Sequence, residues 1–245
     1  MTNTFVDKNK NSIMLGDCLE IMRDIEDKSI DLVLTDPPYG TTSNKWDITV
    51  DFWHEFKRIC KTGFILFSSQ PFTTDLINSN RKDFKYCWVW DKGMTGNFAI
   101  ARHQPLKTHE DICIFGDIKY IPIMRKGKPR YKGGSNKGNT NTGGIKSEKH
   151  YSEDYYPVSI LDYNNAGNRS RSQHPTQKPV SLFKYLIQTY SEEGMTILDP
   201  FAGSGTTAIA CHDLKRNFIC IEKEPEYHAI ATKRYNEAKA QMTLF

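Results

Sequence analysis

No run of apolar residues in the 245-residue chain is long enough to cross a bilayer, and the polar N-terminus has no signal-peptide pattern. The six cysteines are scattered, no two of them form a C-x-x-C pair, and four lie within short apolar runs. These absences argue against a membrane protein, a disulfide framework and a zinc site. A protein of the reducing cytoplasm, with no metal and no membrane partner, fits them best.

Acidic residues are almost absent from one stretch of the chain. Residues 119–149 hold nine Lys or Arg and a single acid, Glu148, although the whole chain carries a net charge of only +4. The rest of the chain is therefore slightly acidic. A single concentrated basic segment indicates contact with a polyanion such as nucleic acid, and a solvated basic loop is the alternative.

Short apolar runs rich in Val, Ile, Phe and Trp recur along the chain between amphipathic segments. Such runs suit strands that are buried on both faces of a parallel sheet. Five other segments have helical periodicity, at residues 19–25, 52–59, 182–190, 204–213 and 226–240. The alternation of strands and helices predicts a doubly wound α/β fold. The seven runs are Ile13–Leu15, Ile30–Thr35, Gly63–Ser68, Tyr86–Trp90, Asp111–Phe115, Thr196–Asp199 and Asn217–Ile221.

A glycine-rich turn at residues 199–207 follows one of these runs and opens a helix. Glycine lets the backbone approach a ligand closely, and the start of a helix offers free N–H groups. Glu222 ends the next strand, where a carboxylate can accept both hydroxyls of a ribose. Because residues 203–208 also match the dinucleotide pattern G-x-G-x-x-G/A, the turn alone does not separate NAD from S-adenosylmethionine.

Asp36-Pro37-Pro38-Tyr39 follows a buried strand, at the end where α/β sheets place their ligands. The Asp36 carboxylate and the Pro37 carbonyl can accept both N–H bonds of an exocyclic base amine, which favours its nucleophilic form and stabilises the developing positive charge. The prolines fix the backbone that carries both acceptors, and Tyr39 offers a ring on which a flipped base can stack. The motif predicts amine methylation, and a plain strand-ending turn is the alternative.

The order of these motifs resembles that of amino-specific DNA methyltransferases of the permuted β class, in which the catalytic motif precedes the cofactor turn. Residues 36–39 resemble the catalytic motif, and Trp90-Asp91-Lys92 resembles the motif that helps to hold the target base. The resemblance implies a Rossmann-like sheet of seven strands with one reversed. It also implies S-adenosylmethionine as methyl donor, S-adenosylhomocysteine as product and double-stranded DNA as substrate.

The same resemblance assigns residues to the cofactor. Gly16-Asp17, next to Cys18, resembles the motif whose acid contacts the cofactor adenine, and residues 174–179 resemble the motif beside its methionine end. Residues 199–206 and Glu222 resemble the two motifs of the cofactor turn. The cofactor-binding residues implied in this way are Asp17, Cys18, Thr176, Lys178, Asp199, Phe201, Gly203, Ser204, Gly205, Thr206 and Glu222.

The family's target-recognition region lies where this chain interrupts its alternation of strands and helices. Residues 117–172 are rich in Gly, Asn, Lys and Tyr, and we interpret them as a recognition insertion that orders on binding. Residues 1–116 then form the catalytic half of one domain, and residues 173–240 form its cofactor-binding half. The side chains predicted to bind DNA are Lys92, Lys126, Lys128, Arg130, Lys132 and Lys137.

Other functions fit parts of the sequence less well. Methylation of carbon 5 of cytosine requires a cysteine nucleophile, and the chain has no Pro-Cys dipeptide. Methylation of N4 of cytosine stays open, but members that act on cytosine more often carry Ser in place of Asp36, so the resemblance favours N6 of adenine. A non-catalytic DNA-binding module or a nucleotide-dependent dehydrogenase would leave the motif at residues 36–39 without a use.

Two hypotheses concern protein partners. The C-terminal peptide Gln241-Met242-Thr243-Leu244-Phe245 resembles the short peptide by which bacterial proteins dock on the replication sliding clamp, with two apolar anchors. A frayed helix end that covers an apolar patch is the alternative for this tail, residues 241–245. Dimers are common in the family, so a homodimer is the second hypothesis. The protein is expected in the cytoplasm, and at the nucleoid when it is bound to DNA.

Overall fold

The computed structural model describes residues 11–40, 47, 49–96, 98–132, 149–164 and 177–242. The chain divides into a main unit, Met1–Ile121 with Ser159–Phe245, and a small second unit, Pro122–Val158. The strands are β1 (Ser12–Leu15), β2 (Ile30–Thr35), β3 (Cys60–Ser68), β4 (Phe84–Gly96), β5 (Lys107–Gly116), β6 (Arg125–Lys132), β7 (His150–Tyr155), β8 (Ile160–Asp162), β9 (Thr196–Asp199) and β10 (Asn217–Glu222). The α-helices are α1 (Cys18–Arg23), α2 (Trp53–Ile59), α3 (Phe72–Ser79), α4 (Val180–Tyr190), α5 (Thr206–Asp213) and α6 (Pro225–Met242).

The main unit is built on an eight-stranded sheet in the order β1-β10-β9-β2-β3-β5-β4-β8. The strands run parallel except for β5, which is antiparallel to both of its neighbours, β3 and β4. The late strands β9 and β10 lie between the early strands β1 and β2. The carboxyl ends of these four neighbouring strands therefore form one continuous edge, where a ligand site is expected.

Apolar side chains on both faces explain why the sheet is covered by helices on both sides. On one face, α4 and α5 pack residues such as Leu186 and Ala208 into a core with Leu32 and Leu34 of β2. On the other face, α1, α2 and α3 pack against alternate residues of the same strands, among them Val33. The alternation along β2 shows the period of two that a strand imposes on its side chains.

The predicted α/β fold with one reversed strand is confirmed, and all seven predicted runs form strands. The sheet has one strand more than predicted, β8, which pairs in parallel with β4. Its three residues carry too little pattern to be recognised within a Gly-rich stretch. The helix α3 was not predicted either, since its Thr, Asn and Ser residues favour turns as much as helices.

The second unit contains a two-stranded antiparallel hairpin formed by β6 and β7. The predicted insertion, residues 117–172, is wider than this unit, because β8 belongs to the main sheet. Lys137 lies outside the described residues, and so do residues 243–245 of the predicted clamp-binding tail. The clamp and the homodimer stay predictions. No helix in the described ranges combines the length and the apolar character needed to span a membrane.

Candidate active site

The catalytic tetrapeptide leaves the sheet directly after β2, whose last residue, Thr35, is fully buried. The Tyr39 hydroxyl donates a hydrogen bond to Asp36 Oδ1 over 2.6 Å. One face of the Tyr39 ring is stacked on Phe72 at the start of α3, with 5.0 Å between ring centroids. Burial raises the pKa of Tyr39 well above its ordinary value, so the hydroxyl stays protonated and continues to donate.

The second oxygen of Asp36 is held by a lysine. Lys178 Nζ lies 2.5 Å from Asp36 Oδ2 and 3.2 Å from Glu110 Oε2. Lys92 Nζ lies 3.2 Å from the other Glu110 oxygen, Oε1. The side chains of Asp36, Lys178, Glu110 and Lys92 thus form a row of ion pairs with alternating charge. The Lys178 side chain is only 9% exposed, and its buried charge is compensated by the neighbouring carboxylates.

The structure gives two residues of this cluster partners that were not predicted. Lys178 was predicted to contact the cofactor, and its ammonium binds the Asp36 carboxylate. Lys92 was predicted to contact DNA, and its ammonium is paired with Glu110. Burial raises the pKa of Asp36 above its ordinary value, with Lys178 opposing this effect and Glu110 adding to it. The carboxylate that would receive the amine is thus a stronger base than an exposed aspartate.

Asp199 connects the glycine turn to the catalytic strand. Its Oδ1 accepts hydrogen bonds from the Thr35 hydroxyl, 2.6 Å away, and from the Phe201 backbone N–H, 3.2 Å away. Its Oδ2 accepts a hydrogen bond from the Thr207 hydroxyl of α5. Burial raises the pKa of Asp199 to about 6 despite these hydrogen bonds. Since both oxygens are occupied within the protein, Asp199 holds β2, β9 and α5 in register.

Two further carboxylates lie at the ends of the adjacent strands β1 and β10. Glu222 accepts the Gly203 N–H at 2.7 Å on Oε2 and the Glu224 N–H at 2.8 Å on Oε1. Asp17 caps α1 by accepting the Leu19 N–H at 3.0 Å, and its other oxygen is paired with Lys223. Burial raises the pKa of Glu222. Each Glu222 oxygen retains lone-pair capacity for a further donor, such as a ribose hydroxyl.

Helix α6 packs against the back of the glycine turn. Arg234 donates hydrogen bonds to the Ser204 hydroxyl, over 2.8 Å, and to the Ser204 carbonyl. Gly205 has a φ of +76°, and a Cβ placed there would lie 2.9 Å from the Cβ of Ala231 in α6. Ser204 and Gly205 were predicted to bind the cofactor, and that role stays a prediction. Their observed contacts fix the turn to α6 through Arg234, which was not predicted.

Replacing Gly205 with alanine is expected to lower the free energy of unfolding by about 1–3 kcal/mol, because the positive φ and the contact with Ala231 both oppose a side chain. Urea denaturation measures the loss. Gly194 is the matched control, since its φ is +82° and nothing lies within 4 Å of its built Cβ. The Gly205 variant should lose more stability than Gly194→Ala. Equal losses would mean that packing against α6 contributes nothing.

The remaining residues predicted for the cofactor site differ in their surroundings. Cys18 is buried in the first turn of α1, and burial raises the pKa of its thiol to about 11. The ring of Phe201 is partly exposed and meets Phe52 edge-on, with 6.3 Å between centroids. The Thr206 hydroxyl donates to the Lys178 carbonyl over 3.4 Å, which connects the turn to the charged cluster. Thr176 lies outside the described residues.

The basic residues of the second unit lie on the β6–β7 hairpin. Lys126 is paired with Glu153 and Asp154, with 2.6 Å and 2.8 Å between the charged atoms. The Arg130 guanidinium lies over the Tyr155 ring, 5.0 Å from its centroid. Lys128 and Lys132 lie on the same strand, β6. The hairpin therefore presents cations and exposed aromatic rings together, a combination suited to nucleic acid.

Comparison with known proteins identifies the family. Residues 30–233 match the DNA methylase family. The Type II methyltransferase M.HinfI of Haemophilus influenzae is 28% identical in an alignment covering 94% of this chain and 69% of that protein. The solved structure of the M1.HpyAVI–SAM complex is 24% identical with a TM-score of 0.63, and the alignment covers 92% of this chain and 98% of that chain. The PvuII cytosine-N4-specific DNA methyltransferase is 17% identical with a TM-score of 0.64, covering 95% and 91%.

A sheet of this topology, with a buried carboxylate after β2 beside a nucleotide-type turn after β9, defines a Rossmann-like methyltransferase. The match extends over most of the sequence, and the chain belongs to the DNA methylase family, whose members take the methyl group from S-adenosylmethionine. The predictions of the family, the fold class and the methyl donor are therefore confirmed. The roles of the individual site residues stay predictions.

Proposed function

We propose that the protein transfers a methyl group from S-adenosylmethionine to N6 of an adenine flipped out of double-stranded DNA. The observation that supports this most is the Asp36 carboxylate, which is held by Tyr39 and Lys178 at the carboxyl end of β2. It lies one strand away from the glycine turn that follows β9. The hydrogen bond from Thr35 to Asp199 thus joins the end of the strand before Asp36 to the start of the glycine turn.

The residues at the ends of β1, β9 and β10 fit a nucleoside cofactor. Glu222 is oriented by two backbone N–H groups and keeps capacity to accept ribose hydroxyls, and Asp17 lies beside it for the adenine. Gly203, with φ of +52°, brings its backbone against Glu222. When bound, the sulfonium cofactor supplies an electrophilic methyl group.

The catalytic contribution of the chain is electrostatic. An exocyclic amine becomes positively charged as its nitrogen attacks, and a buried carboxylate that is already oriented stabilises this charge without reorganisation. Tyr39 and Lys178 provide that orientation for Asp36. The raised pKa of Asp36 also suits it to accept a proton from the methylated ammonium. The transfer is direct and involves no covalent enzyme intermediate.

The choice of adenine rests on the aspartate at position 36, since cytosine-specific members of the resembled class more often carry serine there. Methylation of N4 of cytosine is the competing function, and the PvuII DNA methyltransferase, which has a similar fold, is cytosine-N4-specific. Sequencing of genomic DNA with modified-base detection, from cells that express the gene, distinguishes the two. N6-methyladenine at one recurring sequence is expected. N4-methylcytosine at such a sequence would establish the competing function.

We propose that the β6–β7 hairpin contacts DNA phosphates. Replacing Lys128 and Arg130 together with alanine should make the plot of log DNA-binding constant against log salt concentration less steep. Its negative slope should shrink in magnitude by about 2, because each lost phosphate contact removes about 0.9. Lys126→Ala is the matched control within the same strand. Because Lys126 is already paired with two acids, its loss should change the slope less. Filter binding at several salt concentrations measures both, and an unchanged slope in the double variant would remove the hairpin from the interface.

A further inference from the structure

Glu110 lies at the edge of the sheet where the catalytic residues meet, although it belongs to none of the sequence motifs. It is near the start of β5, directly opposite Trp90 of β4. Because β5 is the reversed strand, its first residues lie beside the carboxyl end of β3, as the pairing of Asp111 with Ser68 shows. The Glu110 side chain is 15% exposed and points into the cluster that contains Lys178.

The two oxygens of Glu110 have different partners. Oε1 accepts a hydrogen bond from Lys92. Oε2 lies 3.2 Å from Lys178 Nζ but accepts no hydrogen bond of good geometry, although it is buried. The Lys178 ammonium donates instead to Asp36 and lies 5.4 Å from the centroid of the Phe67 ring. A buried acceptor with unused capacity therefore lies beside a cation that is bonded elsewhere.

Each oxygen of Asp36 already accepts one hydrogen bond, Oδ1 from Tyr39 and Oδ2 from Lys178. An entering amine that donates to Asp36 takes up the remaining lone-pair capacity and so competes with one of these donors. A buried ammonium that lost its carboxylate would be strongly destabilised unless a second acceptor were within reach. Glu110 Oε2 is that acceptor.

We propose that Glu110 is a positioning residue that receives the Lys178 ammonium when Asp36 binds the target amine. This inference rests on the proposed function, since it assumes that Asp36 receives an amine. This role does not require Glu110 to touch substrate or cofactor. It acts through Lys178 by setting how tightly that lysine competes for the Asp36 carboxylate.

The charges around Asp36 give the inference a measurable signature. The groups that face it are Tyr39 from its own loop, Lys178 before α4, Glu110 from β5 and Asp199 from β9, with Lys92 of β4 behind Glu110. The negative charge of Glu110 contributes to the raised pKa of Asp36. Neutralising it should lower that pKa and leave Lys178 bound to Asp36 alone.

The test is Glu110→Gln, assayed by the single-turnover rate of methyl transfer to DNA across the pH range. The rate should fall about tenfold or more, as for a mispositioned catalytic group. The acidic limb of the pH–rate profile should move to lower pH. The Kd for S-adenosylmethionine should stay within about twofold, which also shows that the variant is folded. Glu192→Gln is the matched control, because Glu192 forms an exposed ion pair with Lys119, and it should leave rate and profile unchanged.

A second variant, Glu110→Asp, tests the negative charge of Glu110 separately from the length of its side chain. It also keeps the inference testable if Glu110→Gln fails to fold. It keeps the charge, so the acidic limb should stay in place, while the shorter side chain should lower the rate. A wild-type rate in either folded variant, or an unmoved acidic limb in Glu110→Gln, would overturn the role of Glu110. If Asp36→Asn in the same assay kept wild-type turnover, the proposed function itself would fail. An inactive Asp36→Asn beside a fully active Glu110→Gln would reject the inference on Glu110 alone.

Discussion

Replacing Asp36 with alanine is expected to lower the rate of methyl transfer to DNA by about a thousandfold or more. The carboxylate is the charged acceptor that we assign to the target amine, and alanine offers no substitute for it. The fold should persist, because Lys178 keeps Glu110 as an ion-pair partner 3.2 Å away. Cofactor binding should also persist, since Asp17 follows β1 and Glu222 ends β10, away from the end of β2.

Single-turnover transfer of a tritiated methyl group to DNA measures the rate, and calorimetry measures the cofactor Kd. Asp75→Ala is the matched control, because Asp75 is exposed on α3, and it should transfer methyl groups at the wild-type rate. Near-normal methylation by the Asp36 variant would overturn the assignment of the catalytic centre. Loss of cofactor binding along with turnover would mean that Asp36 supports the fold rather than the reaction.

Replacing Glu222 with alanine should raise the Kd for S-adenosylmethionine by about ten- to a hundredfold, because hydrogen bonds to a charged group contribute roughly 1.5–3 kcal/mol. Two effects combine. The ribose hydroxyls lose their acceptor, and the Gly203 N–H loses the carboxylate that fixes the turn. At saturating cofactor the methyl-transfer rate should recover substantially, since Asp36 and Lys178 are untouched.

Glu226→Ala provides the comparison for this change, because Glu226 lies exposed in the first turn of α6. Its Kd should match that of the unaltered protein. Glu222→Gln retains an acceptor oxygen and should bind the cofactor with intermediate affinity. A Kd for Glu222→Ala within about twofold of wild type would show that the ribose is held elsewhere.

The fold could be predicted because both faces of its strands are apolar. A run such as Ile30–Thr35 has to be buried from both sides, and only a sheet covered by two layers of helices does this. The strand β8 escaped prediction because it is three residues long and joins the sheet through pairing with β4. Such a strand is specified by its tertiary partner rather than by its own sequence.

The location of the candidate site residues was predictable where backbone and motif coincide, since Asp36 directly follows β2 and Glu222 ends β10. The ion pairs that surround Asp36 were not predictable. Lys178 and Glu110 are separated from Asp36 by 142 and 74 positions, and only the topology brings them together. A signal for Glu110 was present, because an acidic residue at the start of a reversed strand lies at the same edge as the ends of its parallel neighbours.

The glycine turn shows a second limit of prediction from motifs. Gly205 and Ser204 were assigned to the cofactor, which stays a prediction, and they also lie against Ala231 and Arg234 of α6. Glycine can be required at such a position either by a positive φ or by the close approach of a ligand to the backbone. Sequence alone does not separate them.

The most direct test of the central claim is the nucleoside composition of DNA treated with the purified protein and S-adenosylmethionine, measured by liquid chromatography and mass spectrometry. We predict N6-methyldeoxyadenosine with the wild-type protein and none above background with Asp36→Ala. N4-methyldeoxycytidine in its place would contradict the choice of base. Equal methylation by both proteins, or none by the wild type on DNA that contains every short sequence, would contradict the assignment of Asp36 as the centre of a DNA-methylating site.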